Sequence, residues 1–397
     1  MTDPAHSGWR IHGLALPAGM VLAGALAWYG QGRAGCGCAF PQQTCTYPLQ
    51  GYMENYNREP RLASLLNRTF TDGSSIVLFG SSELTSADHP AKPVNFFNNG
   101  LGRPLFALGH AGNQSFSMHA QLIAADADLS HARLAILLSP SWFLDNSALT
   151  GTGLAAFLEY QPSPSLYSTY RRLKANDALA APVGEYLAEH QRELGAAQPI
   201  TLWLARNASA TGRWLYAFSQ PWNEAIIDAT EDDMLYAPEP EERPIPTGSI
   251  TLSVDWTALF THATQEHLAQ CTNNRAYVND AYYAEHVNGR TRKVDVHPME
   301  ANRELRDFRG LLAFLDTLHA QPYFIIQPLN PYVYTNLAEM EPTMAAIRDE
   351  LDRRGFDYLD LWTSDTTRFE PGILTDVMHL GPLGWYRVDS ALATYFP

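Results

Sequence analysis

The sequence predicts an α/β fold, a three-layer arrangement with a central parallel sheet, carrying a helical insertion and preceded by an N-terminal transmembrane helix. Three observations carry that expectation. Short unbroken apolar runs, the form taken by strands buried on both faces, recur along the chain. Most of them follow a helix-like segment, and such alternation calls for a parallel sheet covered on both sides. A stretch without charge, Gly13 to Gly30, stands near the start.

That stretch reads GLALPAGMVLAGALAWYG, with Arg10 before it and Arg33 after it. At about 1.5 Å per residue it is just long enough to cross a bilayer core of roughly 30 Å. We read it as an uncleaved anchor; the rival is a cleaved signal peptide, whose apolar region is usually shorter. Both readings put the rest of the chain outside the cytoplasm. A lipoprotein signal ending at Cys36 is disfavoured by Arg33, which stands where that signal wants an aliphatic residue. The expected organisation is a cytoplasmic stub and anchor over 1–35, an extracytoplasmic Cys-containing linker over 36–74, and the main domain over 75–397.

Cys36, Cys38 and Cys45 crowd beyond the anchor, and Cys271 is distant. At least one disulfide is expected among the first three in an oxidising compartment, with the pairing open. The run GCGCAFPQQTC has no CxxC pair and no histidine at zinc-site spacing, so no metal is expected there.

The first clear strand is Ile76 to Phe79, ending in Gly80. A helix over Met118 to Ala127 leads to a second run, Leu134 to Leu138. Between about 144 and 252 the pattern becomes an insertion, with helix-like segments at Ser165 to Lys174 and Val183 to Leu194 and then an exposed linker, APEPEERPIPTG. Helices Asn302 to Leu318 and Thr343 to Arg354 precede strands Tyr323 to Ile326 and Tyr358 to Leu361. In such a sheet, functional groups belong on loops at the carboxyl ends of the strands. Lys plus Arg number 27 against 42 for Asp plus Glu, a formal charge of −15, which disfavours nonspecific attraction to polyanions, so no nucleic-acid partner is expected, and argues against a broad electrostatic grip on an anionic polymer.

Ser82 follows the strand IVLF in the run FGSSEL. A tight turn after a strand can expose a serine hydroxyl to a base, although on this motif alone a helix-capping turn is the better explanation. Near the end, Asp376 and His379 lie three apart in TDVMHLGPLGW. That spacing lets a carboxylate reach Nδ1 and aim Nε2 at a nucleophile. Ser early and DxxH last is the order found in SGNH, or GDSL, hydrolases. AGNQS, Ala111 to Ser115, stands where those hydrolases carry an oxyanion-hole glycine, a role that fits Gly112. Their third donor is an Asn in a GxND motif; here LLSPSWF offers Ser141 instead, with Asn113 and Gln114 as further candidates. Glu83 and Asn330 are substrate-contact candidates: Glu83 as a partner of the nucleophile or of an ammonium group, or as a first-turn acid, and Asn330 as a loop contact or an Asx-turn. His110 and His119 read as packing residues.

Six ordered segments, FGSSEL, GHAGNQS, ILLSPSWF, QCTNNRAYVNDAYYAEH, DFRGLLAFLDTLHAQPYFIIQPLNPYVY and DVMHLGPLGWYRVD, resemble the DltD family of D-alanyl transfer proteins. The resemblance spans roughly Ile76 to the C-terminus, with the anchor, and weakens over 144–252. It implies an SGNH-hydrolase-like fold and a single-pass protein of the inner or cytoplasmic membrane whose domain lies outside the cytoplasm, in the periplasm of a Gram-negative cell. It implies work with a membrane-bound O-acyltransferase, DltB-like, to move D-alanyl groups from a donor onto an envelope polymer, teichoic acid or another glycan or lipid. Ser82, His379 and Asp376 would then act as a serine acyltransferase without a cofactor. An esterase or thioesterase with the same residues, and a non-catalytic tether of the membrane enzyme, are the rival readings.

Overall fold

A computed structural model of the chain describes residues 49–54, 62–85, 89–144, 151–160, 169, 181–190, 192–194 and 254–397. They belong to one compact unit formed by Pro48–Leu202 and Leu235–Pro397. The expected anchor, the cluster Cys36, Cys38 and Cys45, the segment Ser165 to Lys174 apart from Thr169, and the linker APEPEERPIPTG lie outside the described residues. Among the described residues no helix is long and apolar enough to cross a membrane, and no group of His, Cys, Asp and Glu is placed to hold a metal ion.

Six strands form one parallel sheet: β1 (Gly51–Met53), β2 (Ile76–Gly80), β3 (Leu105–Gly109), β4 (Leu134–Leu138), β5 (Tyr323–Ile326) and β6 (Tyr358–Asp360), in the spatial order β1-β3-β2-β4-β5-β6. All neighbouring pairs are parallel. The strands expected after residue 75 are therefore present, and two more join them. β3 is a run of only five residues between Pro104 and a glycine-containing turn. β1 and helix α1 (Leu62–Asp72) fall in the stretch expected to be a linker, and α1 packs through buried Leu62, Leu66 and Phe70. The folded unit thus begins upstream of residue 75.

Period-2 alternation divides the core. Val77, Phe79, Phe106, Leu108, Ile136 and Phe324 face one side, with α1, α2 (Ser115–Ala125), α6 (Arg303–Thr317) and α7 (Glu341–Arg354). Leu78, Leu105, Ala107, Leu137 and Ile325 face the other, where α8 (Pro382–Tyr395) packs and is itself covered by α5 (Trp256–Gln270). Neither α5 nor α8 is foreseen in the sequence. Of the insertion, α3 (Leu154–Tyr160) and α4 (Ala181–Glu189) are described, and Phe157 and Tyr186 pack on Phe116 of α2.

The chain moves from β2 to β3 on one side and then to β4 on the other side of β2. The order reverses at the carboxyl end of β2, which opens a crevice there. Gly80 pairs with Gly109 at the ends of β2 and β3, and Leu138 with Ile326 at the ends of β4 and β5, so the loops that follow start side by side.

Candidate active site

Ser82 opens a 3₁₀ turn, Ser82–Thr85, directly after β2. Its neighbour Ser81 is consumed by the turn: its N–H donates to Glu83 Oε1 at 2.6 Å and its hydroxyl to the His110 carbonyl at 3.1 Å. Ser82 Oγ lies 3.2 Å from His379 Nε2. The segment is a four-residue 3₁₀ turn and not a long helix, so no helix dipole of useful size assists Ser82.

The turn carrying His379 is built by Asp376. One carboxylate oxygen accepts the backbone N–H groups of Met378 and His379, each at 2.8 Å, and the other stands 2.7 Å from His379 Nδ1. Leu374 pairs antiparallel with Leu380, and Thr375 N–H donates to the His379 carbonyl at 2.9 Å, which closes the turn into a small loop. Three acceptor contacts on one carboxylate fix both backbone and ring. Burial alone would raise the Asp376 pKa, but the imidazole and the two backbone donors hold it below the usual carboxylate range. The hydrogen bond that His379 Nδ1 donates to Asp376 raises the His379 pKa, against burial, with further help from the charges of Asp376 and Glu83. The imidazole and carboxylate side chains remain 28% and 18% exposed, so reagents can reach them. A hydroxyl held against Nε2 of an imidazole whose Nδ1 proton faces a carboxylate can lose its proton as it attacks an acyl carbon.

The AGNQS turn follows β3 and lies against the Ser81–Ser82 turn. Gly112 adopts φ +80°, the left-handed region that favours glycine. Asn113 is fully buried and its amide donates to the Gly80 carbonyl at 2.7 Å, so it ties the two turns together. Gln114 is buried at the N-cap of α2 without capping it through its side chain. Ser141 hydrogen-bonds Ser139 Oγ at 2.8 Å in the loop after β4.

Glu83 and Asn330 do not present exposed groups to a ligand. Glu83 is 2% exposed and folds back under the Ser81–Ser82 turn. Asn330 is fully buried: its amide donates to the Ala276 carbonyl at 2.8 Å, its side-chain oxygen accepts Tyr332 N–H at 3.0 Å, and its own N–H donates to the Val377 carbonyl at 3.0 Å. It is an Asx-turn residue that braces the Asp376–His379 loop. Around Val377, the side chains of Ala276, Val278, Val287 and Val333 form a small separate core. His110 and His119 are buried, the first stacked on Tyr160 and the second packed at a tilt against Phe314, and burial lowers their pKa values to about 4 and about 3.

Two further residues, which no sequence motif marks, complete the frame. Asn302 donates to the Phe143 carbonyl at 3.0 Å, and Glu304 accepts Ser115 N–H at 3.0 Å. The first turn of α6 thus anchors both the loop after β4 and the start of α2. A lone acid in an amphipathic helix gives no sign in sequence of such a contact.

Comparison with known proteins gives a consistent answer. The family model described as DltD protein matches residues 57–397. Protein DltD of Bacillus subtilis (strain 168) is 24% identical over 364 residues, covering 84% of this chain and 85% of that protein.

Proposed function

The chain belongs to the DltD family, and from that premise we propose that it is an extracytoplasmic serine acyltransferase that moves D-alanyl groups onto a cell-envelope polymer. The observation that carries the reading is the run of contacts from Ser82 Oγ through His379, 3.2 Å and then 2.7 Å, to Asp376. In the proposed reaction His379 Nε2 takes the proton of Ser82 as its oxygen attacks the donor carbonyl. Negative charge develops on the carbonyl oxygen, where the Gly112 N–H would stabilise it. Collapse expels the donor's leaving group, which takes the proton from His379, and leaves an ester on Ser82. A polymer hydroxyl, deprotonated in turn by His379, attacks that ester and frees the serine.

The acceptor in this reading is teichoic acid or another envelope glycan or lipid, and a DltB-like membrane-bound O-acyltransferase works with it. An N-terminal membrane anchor would hold the domain at the outer face of the membrane beside that partner. No cofactor enters the chemistry. Mass spectrometry of envelope polymers from cells carrying the wild-type chain or Ser82→Ala tests the proposal. We expect the D-alanyl ester to disappear in Ser82→Ala while the protein remains in the membrane with its partner. Esters at the wild-type level in that variant would overturn the catalytic reading in favour of a tether.

A further inference from the structure

We propose that Glu83 is a positioning residue of this site, a second carboxylate that pins the nucleophile turn through the Ser81 N–H and supports the charge that forms on His379. The inference rests on the Ser82–His379 reading above.

The geometry begins with Gly80. A Cβ there would come within 3.0 Å of Glu83 Oε1 and 2.8 Å of Leu84, so the glycine leaves the room that lets Glu83 turn back beneath its own turn. There the carboxylate takes the Ser81 N–H at 2.6 Å, a contact that sets where the next residue, Ser82, points. An amide or a hydroxyl could cap this turn at far less desolvation cost than a buried acid. A carboxylate is worth that cost where positive charge forms close by, and the base of this site becomes an imidazolium when it takes the serine proton. The imidazole and Glu83 interact in both directions: Glu83 raises the His379 pKa and His379 lowers that of Glu83. Burial, the largest influence on Glu83, raises its pKa above the ordinary carboxylate value, and the backbone N–H groups of Ser81 and Glu83 itself together with the imidazole pull the other way, in favour of its charge. Among the described residues Tyr52 on β1 also faces Glu83, and its hydroxyl donates to the Gly109 carbonyl at 2.9 Å. On the far side of His379 stand Asp376 and, against it, Tyr282, which is hydrogen-bonded to Arg292. His379 therefore answers to two carboxylates, one on Nδ1 and one under the nucleophile.

The test follows the rate of labelling of the full-length chain in detergent by a fluorophosphonate, as a function of pH, in wild type, Glu83→Gln, Glu83→Asp and Ser82→Ala. Glutamine keeps an oxygen for Ser81 N–H and loses the charge. Removing a negative neighbour lowers the imidazole pKa, so His379 stays neutral to lower pH. The acid limb of the Glu83→Gln profile is expected to move down by about 0.5–1 pH unit, with the plateau rate falling about 10-fold. The probe concentration for half-maximal rate should stay unchanged. A residue that only packs would change stability and rate but leave the limb in place, so an unmoved limb overturns the proposal. If Glu83→Gln does not fold, Glu83→Asp, which withdraws the charge by one methylene, is expected to move the limb by a smaller amount in the same direction, and again an unmoved limb overturns it. Ser82→Ala should take no label. Label there would remove the nucleophile reading itself, whereas an unlabelled Ser82→Ala beside an unmoved limb removes only the role of Glu83.

Discussion

Adjacent serines with opposite duties show how far single residues decide this site. The Ser81 hydroxyl is buried and bonded to the His110 carbonyl, which belongs to the neighbouring turn. Ser82 Oγ, one residue later, points to the imidazole. Replacing Ser81 by Ala removes one hydrogen bond, with a stability loss of about 1 kcal/mol. Peptide mapping after fluorophosphonate treatment should therefore find the label on Ser82 in both wild type and Ser81→Ala, at rates within a few-fold of each other. Label on Ser81, or labelling lost in Ser81→Ala, would show that the turn presents the other hydroxyl. Asp376 teaches the same lesson in charge: one oxygen builds the loop and the other orients the ring, so substitution there disturbs both at once.

Among the elements, the start of α6 holds the site together from behind. Asn302 caps its own helix through Leu305 N–H at 2.9 Å while binding the Phe143 carbonyl, and Glu304 satisfies Ser115 N–H at the head of α2. Glu304 is fully buried, and burial together with the neighbouring Asp307 charge pushes its pKa up to about 8. The unfolded chain gives up this proton near pH 4.5, the folded chain near pH 8. Between those values the unfolded state is favoured increasingly as pH rises, so the contribution of this group to stability is full below about pH 4 and declines to its lowest above pH 8. Glu304→Gln keeps an acceptor for Ser115 N–H and removes the titration. It should stabilise the protein at pH 7 by an amount on the order of 3 kcal/mol and hardly at all at pH 4. Equal Tm differences at both pH values would show that Glu304 does not titrate in this window.

The elements legible in the sequence are those with a strong local pattern. β2, β4 and β5 are unbroken apolar runs, and α6 and α7 precede their strands as expected. β1 escapes such a reading because three residues show no period, and pairing with β3 makes it a strand; β3, LFALG, is an apolar run as long as β2 and β4, and its own pattern does not set it apart from them. Ser82, Asp376 and His379 can be picked out because the chemistry proposed for them needs those residue types at that order and spacing, and the three meet within hydrogen-bonding distance. Asn330 and Glu83 suggest ligand contacts because loop ends and nucleophile turns invite that reading. Burial, which decides against it, is a property of the fold and not of any local pattern. The two glycines of HLGPLGW have a packing cause as well: a Cβ on Gly384 would lie 2.3 Å from the Ile373 carbonyl, and one on Gly381 2.6 Å from that of Gly372.

For the whole molecule, the formal charge of −15 would set the terms on which it meets the acceptor that the proposed function requires. A polymer with a phosphodiester backbone is itself a polyanion, so protein and acceptor repel each other before any local contact forms. The repulsion reaches roughly 30 Å at 0.01 M ionic strength and about 8 Å at 0.15 M. Screening therefore removes most of it at physiological salt, and the change falls on encounter rather than on the chemical step. Under the proposed function, transfer from a D-alanyl donor to a polyanionic acceptor should rise several-fold between about 0.01 M and 0.15 M salt, with the gain in kcat/KM and little change in kcat. A neutral glycan acceptor should show almost no dependence over the same range. The donor half-reaction, monitored as ester formation on Ser82 without acceptor, serves as the internal control. If transfer to the polyanion falls as salt is raised, a local cluster of basic side chains must outweigh the net charge at the docking face, and the charge of the molecule as a whole does not govern the encounter.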